Sequence, residues 1–485
     1  MNLGLLLPQN TIAQIDTLAL NLLKKQIDTL EKSDLMASGF VGFSLKVCKS
    51  SQKLIETNAN KSLSPASTLK LITTATALLN LGADYKYTTT FGYDGSITNE
   101  MLNGNIIIKG SGDPSLGSHR FNKDQFYFLK DWAMALKALG ISTISGKILM
   151  DNQYFEQNPT PSRWLWGDMG NYYGAGASGI NFRENFFTTS ITGAKTQNQT
   201  AIINKIIPDI SPVSVVNEIV TDAPNTGDQV YIYSKPFDNQ VLFTGFAPKN
   251  QTIYVKGTLP NPSLELGKEL LKTLKEFGIS FTKDTLGTTK GELIETNSKT
   301  NLNFNKVAET QSPALSELIL KCNYHSINLY AEALLKTIAV KNGKGNTNEK
   351  ATKELIDFWK RSGLNTDGFS PKDGSGLSPQ DFVSPNFMTE VLSFMSNHKD
   401  FQTYLSSIPV VGESGTVKNL AKNSSAKGNI YAKSGSIEGA RAYAGYFYAK
   451  SGELIAFSMM LNNYAKSGKN AGKELEKLLI LMANL

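Results

Sequence analysis

The stretch Ser64-Pro65-Ala66-Ser67-Thr68-Leu69-Lys70, continued by LITTATALLNL over 71–81 and closed by Gly82, organises the reading of this chain. Ser64 suits a helix N-cap, Pro65 the first helical position and Gly82 the C′ position, so the pattern predicts a helix running to about Leu81. Nearly every side chain in it is apolar or small, which predicts burial on all sides. Ser67 and Lys70 stand three apart, on one helix face, where an amine can reach a hydroxyl. The helix start adds positive potential at Ser67. Ser50-x-x-Lys53 and Ser424-x-x-Lys427 match the same pattern, but in polar, turn-like segments. A serine at a helix start is also an ordinary structural feature, so the pair needs partners.

Composition narrows what those partners can be. The chain has 485 residues, enough for two to four domains, and its 49 basic against 42 acidic residues leave +7. That balance favours solubility and does not suggest a nucleic-acid groove. With three histidines (His119, His325, His398) and two cysteines (Cys48, Cys322), ligands for a zinc cage or an iron–sulfur cluster are lacking. No metal or cofactor is expected. The cysteines read as two buried free thiols, with a Cys48–Cys322 bridge as the alternative. A Ser-His-Asp triad is short of histidines, although His325 beside Ser326 keeps it open. The remaining route to an activated serine uses lysine as the base.

No apolar run is long enough for a transmembrane segment. Leu3–Leu7 resembles the tail of a signal h-region and Thr11-Ile12-Ala13 a small-residue cleavage site, the reading being a signal peptide whose start lies upstream. The alternative is a frayed terminus ahead of the first helix.

Outward from the serine, Ile12–Leu35 carries helical spacing, and Val41–Val47 and Lys53–Thr57 read as strands. From about Thr88 the texture turns to short strands, at Thr89–Tyr93, Asn105–Lys109 and Lys147–Met150. Two helix-to-strand joints look alike, LKALGIS at 136–142 and LKEFGIS at 274–280. They are either an internal repeat or two ordinary joints. Thr188–Lys256 is rich in short β-type runs. Helical patterns return at Ala314–Ser326, Asn328–Val340, Glu349–Ser362 and Asn386–Ser396. Strands follow at Asn429–Lys433, Ala442–Tyr448 and Leu454–Leu461, and Gly472–Leu485 closes as a helix. The layout suggests one domain carrying a large insertion.

Two further elements complete a constellation: Ser326-Ile327-Asn328 in a helical stretch, and Lys433-Ser434-Gly435 at the end of a strand before Ser436. The last triplet recurs at Lys450 and Lys466, in a hairpin turn and a polar loop. In order, Ser67-x-x-Lys70, Ser326-x-Asn328 and Lys433-Ser434-Gly435 resemble the active-site triplet of penicillin-binding proteins and serine β-lactamases. The separation of 259 positions from Ser67 to Ser326 is too long for a β-lactamase. The layout is similar to the class C low-molecular-mass penicillin-binding proteins, the D-alanyl-D-alanine carboxypeptidase/endopeptidases. Gly112-Asp113-Pro114, Trp164-x-Trp166-x-Asp168 and Asp373-Gly374-Ser375-Gly376-Leu377-Ser378 agree with it.

The resemblance implies an α/β (α+β) fold. A penicillin-binding/β-lactamase-like transpeptidase domain (1–88 and 300–485) would be interrupted by an α/β and β-rich insertion (89–299), with a small β-module at about 188–256. It also implies acyl transfer on peptidoglycan stem peptides in an exported protein, with β-lactam antibiotics as covalent inhibitors. In that scheme Ser67 attacks the carbonyl and Lys70 is the base, its pKa lowered by burial and by Lys433. Ser326 relays the proton and Asn328 holds the substrate amide. Ser434, Gly435 and Ser436 line the substrate strand, Ser434 gripping the carboxylate, and the N–H groups of Ser67 and Ser436 form the oxyanion hole. Asp168 would meet the amine of diaminopimelate.

Four positions depart from the family pattern. Ile327 replaces an aspartate and is expected to point away from the cleft. Pro379 and Leu420 stand where relatives commonly carry arginine, and Glu438 where they often carry glutamine. Pro379 offers no donor, so weak discrimination between diaminopimelate and lysine peptides is expected unless Lys372 or Arg441 substitutes. The rival functions are a β-lactamase-like esterase, disfavoured by the insertion, and a wall-binding or penicillin-sensing protein with a silent site, disfavoured by the intact constellation.

Overall fold

The computed structural model describes residues 15–282, 304–465 and 467–485. The signal-like segment Leu3–Ala13 and Lys466 lie outside these. A five-stranded antiparallel sheet joins the two ends of the chain in the order Ile430–Ile437, Ala440–Tyr448, Leu454–Asn462, Phe40–Val47, Lys53–Thr57. Alternation along Phe40–Val47 explains why nearly all of it is buried. Val41, Phe43 and Leu45 join the core under the helices Thr17–Glu31 and Gly468–Met482. Ser44 faces the other way, its hydroxyl donating to Asn386 Oδ1 at 2.8 Å on the helix Pro385–Ser396.

The helix Thr17–Glu31 is shorter than its apolar spacing suggested. Asp16 caps it, and Leu18 is 71% exposed, so only Leu23, Ile27 and Leu30 anchor it fully. On the sheet's opposite face sits the helical block: Leu69–Leu81, Leu315–His325, Leu329 and its helix Asn328–Lys341, Asn348–Arg361 and Pro385–Ser396. Leu69–Leu78 is buried throughout, as the sequence predicted. Its threonines are satisfied locally: Thr74 and Thr76 donate to the carbonyls of Lys70 and Ile72, both at 2.7 Å. Cys48 and Cys322 are both buried free thiols.

The sequence between these parts builds further sheets. Asn305–Gln311, Thr88–Tyr93, Ile106–Lys109 and Ile148–Asp151 form one. Ser280–Phe281, Thr143–Ile144, Met101–Asn103 and Ser96–Thr98 form another. Both share a core with the helices Tyr127–Ala138 and Pro262–Glu276. The two look-alike joints meet here, Ser280 pairing in parallel with Thr143 and Phe281 with Ile144. Phe186–Thr258 folds as two three-stranded sheets around a core that includes Phe187, Ile219, Phe243 and Val255.

Candidate active site

The nucleophile segment departs from the expected helix start. Ala66–Thr68 form a 3₁₀ turn and the α-helix begins at Leu69. Ser64 is no N-cap: its buried hydroxyl has no hydrogen-bond partner among the described residues. Its backbone is instead clamped by Asn462, whose Oδ1 accepts from Ser64 N at 2.6 Å and whose Nδ2 donates to Ser64 O at 3.1 Å. Ala66 has φ +45°, a left-handed conformation costing an L-residue about 1–3 kcal/mol. The strained turn lifts Ser67 to a half-buried position while Lys70 is fully buried.

Two glycines permit this. A Cβ on Gly376 would overlap the Ala66 carbonyl, and φ +77° disfavours a side chain there in any case. A Cβ on Gly435 would lie 2.6 Å from Pro65 O and 3.1 Å from Ser67 N. The strand carrying Lys433 thus runs directly against the nucleophile turn.

Lys70 Nζ lies 2.9 Å from Ser67 Oγ, 2.6 Å from Asn328 Oδ1 and 2.7 Å from Ser375 O. An ammonium donates to all three. A neutral amine donates to the two carbonyl oxygens and accepts the Ser67 proton. Burial lowers the Lys70 pKa to about 8. Cys322, Asp373, Glu332 and Asp381 oppose this, but weakly. Burial pushes the Cys322 thiol up to about 11, leaving it uncharged near neutrality. Burial, then Asp373, pushes Glu332 up to about 8, and Asp381 is raised for the same two reasons.

Lys433 is fully buried, with Nζ 2.9 Å from Ser326 Oγ and 2.7 Å from Ser434 O. Its pKa falls well below the ordinary lysine value, by burial first and by Lys70 second. Burial is the first cause of the fall in both amines, and the two charges repel one another.

Ser326 is not inside a helix. It sits at φ +56° between Leu315–His325 and Asn328–Lys341, and this break turns its hydroxyl toward Lys433. Asn328 was expected to hold substrate. Here Oδ1 accepts from Lys70 and Nδ2 donates to Tyr173 O at 2.7 Å, so both ends have protein partners. Ile327, expected to face away, lines the cleft.

Lys433-Ser434-Gly435 lies inside the strand Ile430–Ile437 and does not end it. The outer edge of this strand is used first by Ile430 O, accepting from Val411 N, and Ala432 N, donating to Pro409 O. Alternation then directs the backbone groups of Ser434 and Ser436 outward along the same edge. Thr416 Oγ1 lies 2.7 Å from Ser434 Oγ.

The cleft encloses about 630 Å³ and is lined by Ser67, Ser326, Asn328, Ser436 and Asp168, together with Pro379 and Glu438. Asp168 is half-buried, and burial raises its carboxyl pKa. Asp373 organises the loop behind Lys70, accepting from the backbone N–H groups of Ser375, Gly376 and Ser378 at 2.9, 2.6 and 2.7 Å. Trp164 Nε1 donates to the same carboxylate at 2.7 Å.

This arrangement is matched along almost the whole chain by one sequence profile, that of the D-Ala-D-Ala carboxypeptidase 3 (S13) family, over residues 23–483. The chain belongs to this family. It is a serine-type peptidase of the class C low-molecular-mass penicillin-binding proteins. The D-alanyl-D-alanine carboxypeptidase DacB of Haemophilus influenzae is 25% identical over 437 residues, covering 88% of this chain and 86% of that one. The D-alanyl-D-alanine carboxypeptidase of Actinomadura sp. strain R39 is 25% identical over 456 residues, covering 91% and 81%. The crystal structure of penicillin binding protein 4 from H. influenzae has a TM-score of 0.79 at 23% identity, covering 94% of this chain and 98% of that one. The expected penicillin-binding fold is therefore the observed one.

Among the cations considered as substitutes at Pro379, neither lines the cleft of this S13 peptidase. Lys372 Nζ donates to Ser370 Oγ at 3.0 Å, and the Arg441 guanidinium lies against Gly472. Leu420 packs on the sheet's helix-covered core. Arg120, Glu184 and Lys256 do line the cleft, and sequence reasoning singled out none of them. They lie 64 and 72 residues apart and outside every motif the sequence offers, so only the fold joins them.

Proposed function

We propose that the protein hydrolyses the D-Ala-D-Ala bond of peptidoglycan stem peptides through an acyl-enzyme on Ser67, with Lys70 as general base. The observation that carries this is the buried Lys70 amine 2.9 Å from Ser67 Oγ, with two carbonyl oxygens taking its remaining protons. Ser67 Oγ attacks the carbonyl of the penultimate D-Ala as its proton passes to Lys70. The tetrahedral oxyanion is received by the N–H groups of Ser67 and Ser436. Collapse breaks the C–N bond, and the leaving amine takes a proton through Ser326, which Lys433 supports. Water then cleaves the acyl-enzyme and restores Ser67.

The peptide lies along the Ser434–Ser436 edge as an added strand, its terminal carboxylate at the Ser434 and Thr416 hydroxyls. Asn328 acts first as the anchor of Lys70, and Asp168 offers a carboxylate to a substrate amine. A crosslink of D-Ala to diaminopimelate presents the same carbonyl and is a second substrate. β-Lactams acylate Ser67, a reading supported by a β-lactam complex of the H. influenzae protein, which has a TM-score of 0.75 to this chain.

The peptidase unit comprises residues of 1–88 and 300–485, interrupted by 89–299, with the second border better drawn after Gln311. The reason is that Asn305–Gln311 pairs with Thr88–Tyr93, inside the inserted sheets. Stem peptides lie outside the cytoplasmic membrane, so the protein works as an exported one. Among the described residues no helix is long and apolar enough to cross a membrane. Covalent labelling by fluorescent penicillin tests the whole reading. Label should form on Ser67 and vanish in Ser67→Ala with the fold intact; an adduct on Ser424 or Ser50 overturns it.

A further inference from the structure

The cleft that holds Ser67 also carries two cations from the inserted region, Arg120 and Lys256. Arg120 is fixed through its inner nitrogen alone. Nε donates to both oxygens of Glu184, at 2.8 and 3.0 Å. Glu184 is 4% exposed and also accepts from Ser118 Oγ at 2.6 Å and from Tyr330 Oη at 3.0 Å. Glu184 thereby holds Arg120 in place. The terminal guanidinium nitrogens of Arg120 make no hydrogen bond among the described residues.

Lys256 is half-buried and has no carboxylate partner among the described residues. Its ammonium stands 4.6 Å from the Phe186 ring centre and 5.9 Å from that of Tyr172. Burial first, and the Arg120 charge next, lower the Lys256 pKa. An anion between the two side chains relieves both effects.

The backbone beneath is under strain. Arg183, Glu184 and Asn185 have φ of +54°, +56° and +53°, three consecutive non-glycine residues in the left-handed region. The Asn185 side chain locks this turn, its Oδ1 accepting from Phe182 N at 3.0 Å and its Nδ2 donating to Asn181 Oδ1 at 2.8 Å. Strain of this kind persists where the surroundings over-determine it, as at ligand clamps.

We propose that Arg120 and Lys256 form a carboxylate subsite for the part of the peptide that precedes the D-Ala attacked by Ser67. The subsite rests on the peptidase reading above. It supplies the cation that Pro379 cannot, from a different part of the chain. Two sources place a carboxylate there: the side chain of the residue before that D-Ala, and the free carboxylate of the residue before it in turn.

Two pairs of peptides ending in D-Ala-D-Ala separate the sources. One pair carries diaminopimelate or lysine at the first position; the other carries a free or an amidated carboxylate at the next. A charge-assisted contact is worth about tenfold or more, so kcat/KM of the wild type should favour the carboxylate form in one pair by about tenfold. Lys256→Gln and Arg120→Lys should each reduce that preference to below about threefold, and Lys256→Arg should keep it. A wild-type preference below about fivefold in both pairs, or one that survives both Lys256→Gln and Arg120→Lys, overturns the subsite. Should the wild type cleave neither member of either pair, the peptidase reading falls with it, and penicillin labelling of Ser67 checks that reading separately.

Discussion

Lys70→Arg isolates the role of the buried amine. Lys70 titrates at about 8, against 10.5 for an ordinary lysine. At pH 7 about one molecule in ten then carries a neutral amine, against about one in 3,000 for the ordinary value, a gain of about 300-fold in available base. Arginine keeps the charge but not the titration, since its guanidinium holds its protons to above about pH 12. General-base assistance is worth about 100- to 10,000-fold, and Lys70→Arg should lose that range. The assay is the rate of acylation by a fluorescent penicillin between pH 6 and 9. For the wild type the sign is fixed: the base form gains population as pH rises, so the rate climbs about tenfold per pH unit at first and levels near pH 8. Lys70 and Lys433 interact, so the midpoint belongs to the pair. A rate flat between pH 6 and 8, or a Lys70→Arg protein within tenfold of wild type, refutes Lys70 as the base.

Trp164→Phe removes the indole donor at 2.7 Å from Asp373 in a buried position. It should cost about 1.5–3 kcal/mol, read as a lower midpoint in urea unfolding, and should slow acylation because the Ser375 carbonyl that holds Lys70 loosens. Gly376→Ala places a methyl on the Ala66 carbonyl, so acylation should fall by at least about tenfold even where circular dichroism stays native. Lys433→Ala should abolish acylation, whereas Lys450→Ala should match wild type, because Lys450 is exposed and donates to Asn484 O. The reverse pattern would place the catalytic lysine at Lys450 and refute the role of Lys433.

The legibility of the chain followed local chemistry. The Ser67/Lys70 pair was readable because one helical turn brings the two together, and the terminal strands because alternation and turn residues mark them. Ser326 was readable as a residue but not as a geometry. A single left-handed non-glycine between two helices leaves no glycine or proline signal, and the helical pattern runs on through it. The strand Asn305–Gln311 reads NKVAETQ, too polar for its alternation to stand out, although it completes a sheet with Thr88–Tyr93. The fall in the pKa of Lys70 and Lys433 was not readable either, since it follows from a burial that only the fold creates.

The inserted region is more than an appendage to the peptidase unit, and the helix Asn328–Lys341 says why. It is buried on nearly all sides, yet Asn328, Glu332 and Lys336 form a polar stripe at spacings of four. Asn328 donates to Tyr173 O, and Lys336 donates to Pro159 O and Ala177 O at 3.1 and 3.2 Å, all three in the inserted region. Glu332 between them accepts from Gly374 N at 3.0 Å, in the loop that carries the Ser375 carbonyl to Lys70. Buried polar groups are costly to leave unpaired, so parting the inserted region from this helix would strand Asn328, which holds Lys70, and Lys336 together. The region that builds one wall of the cleft is therefore bound to the base itself. A perturbation at Tyr173, far along the chain from Ser67, should reach Lys70 through a single side chain, Asn328.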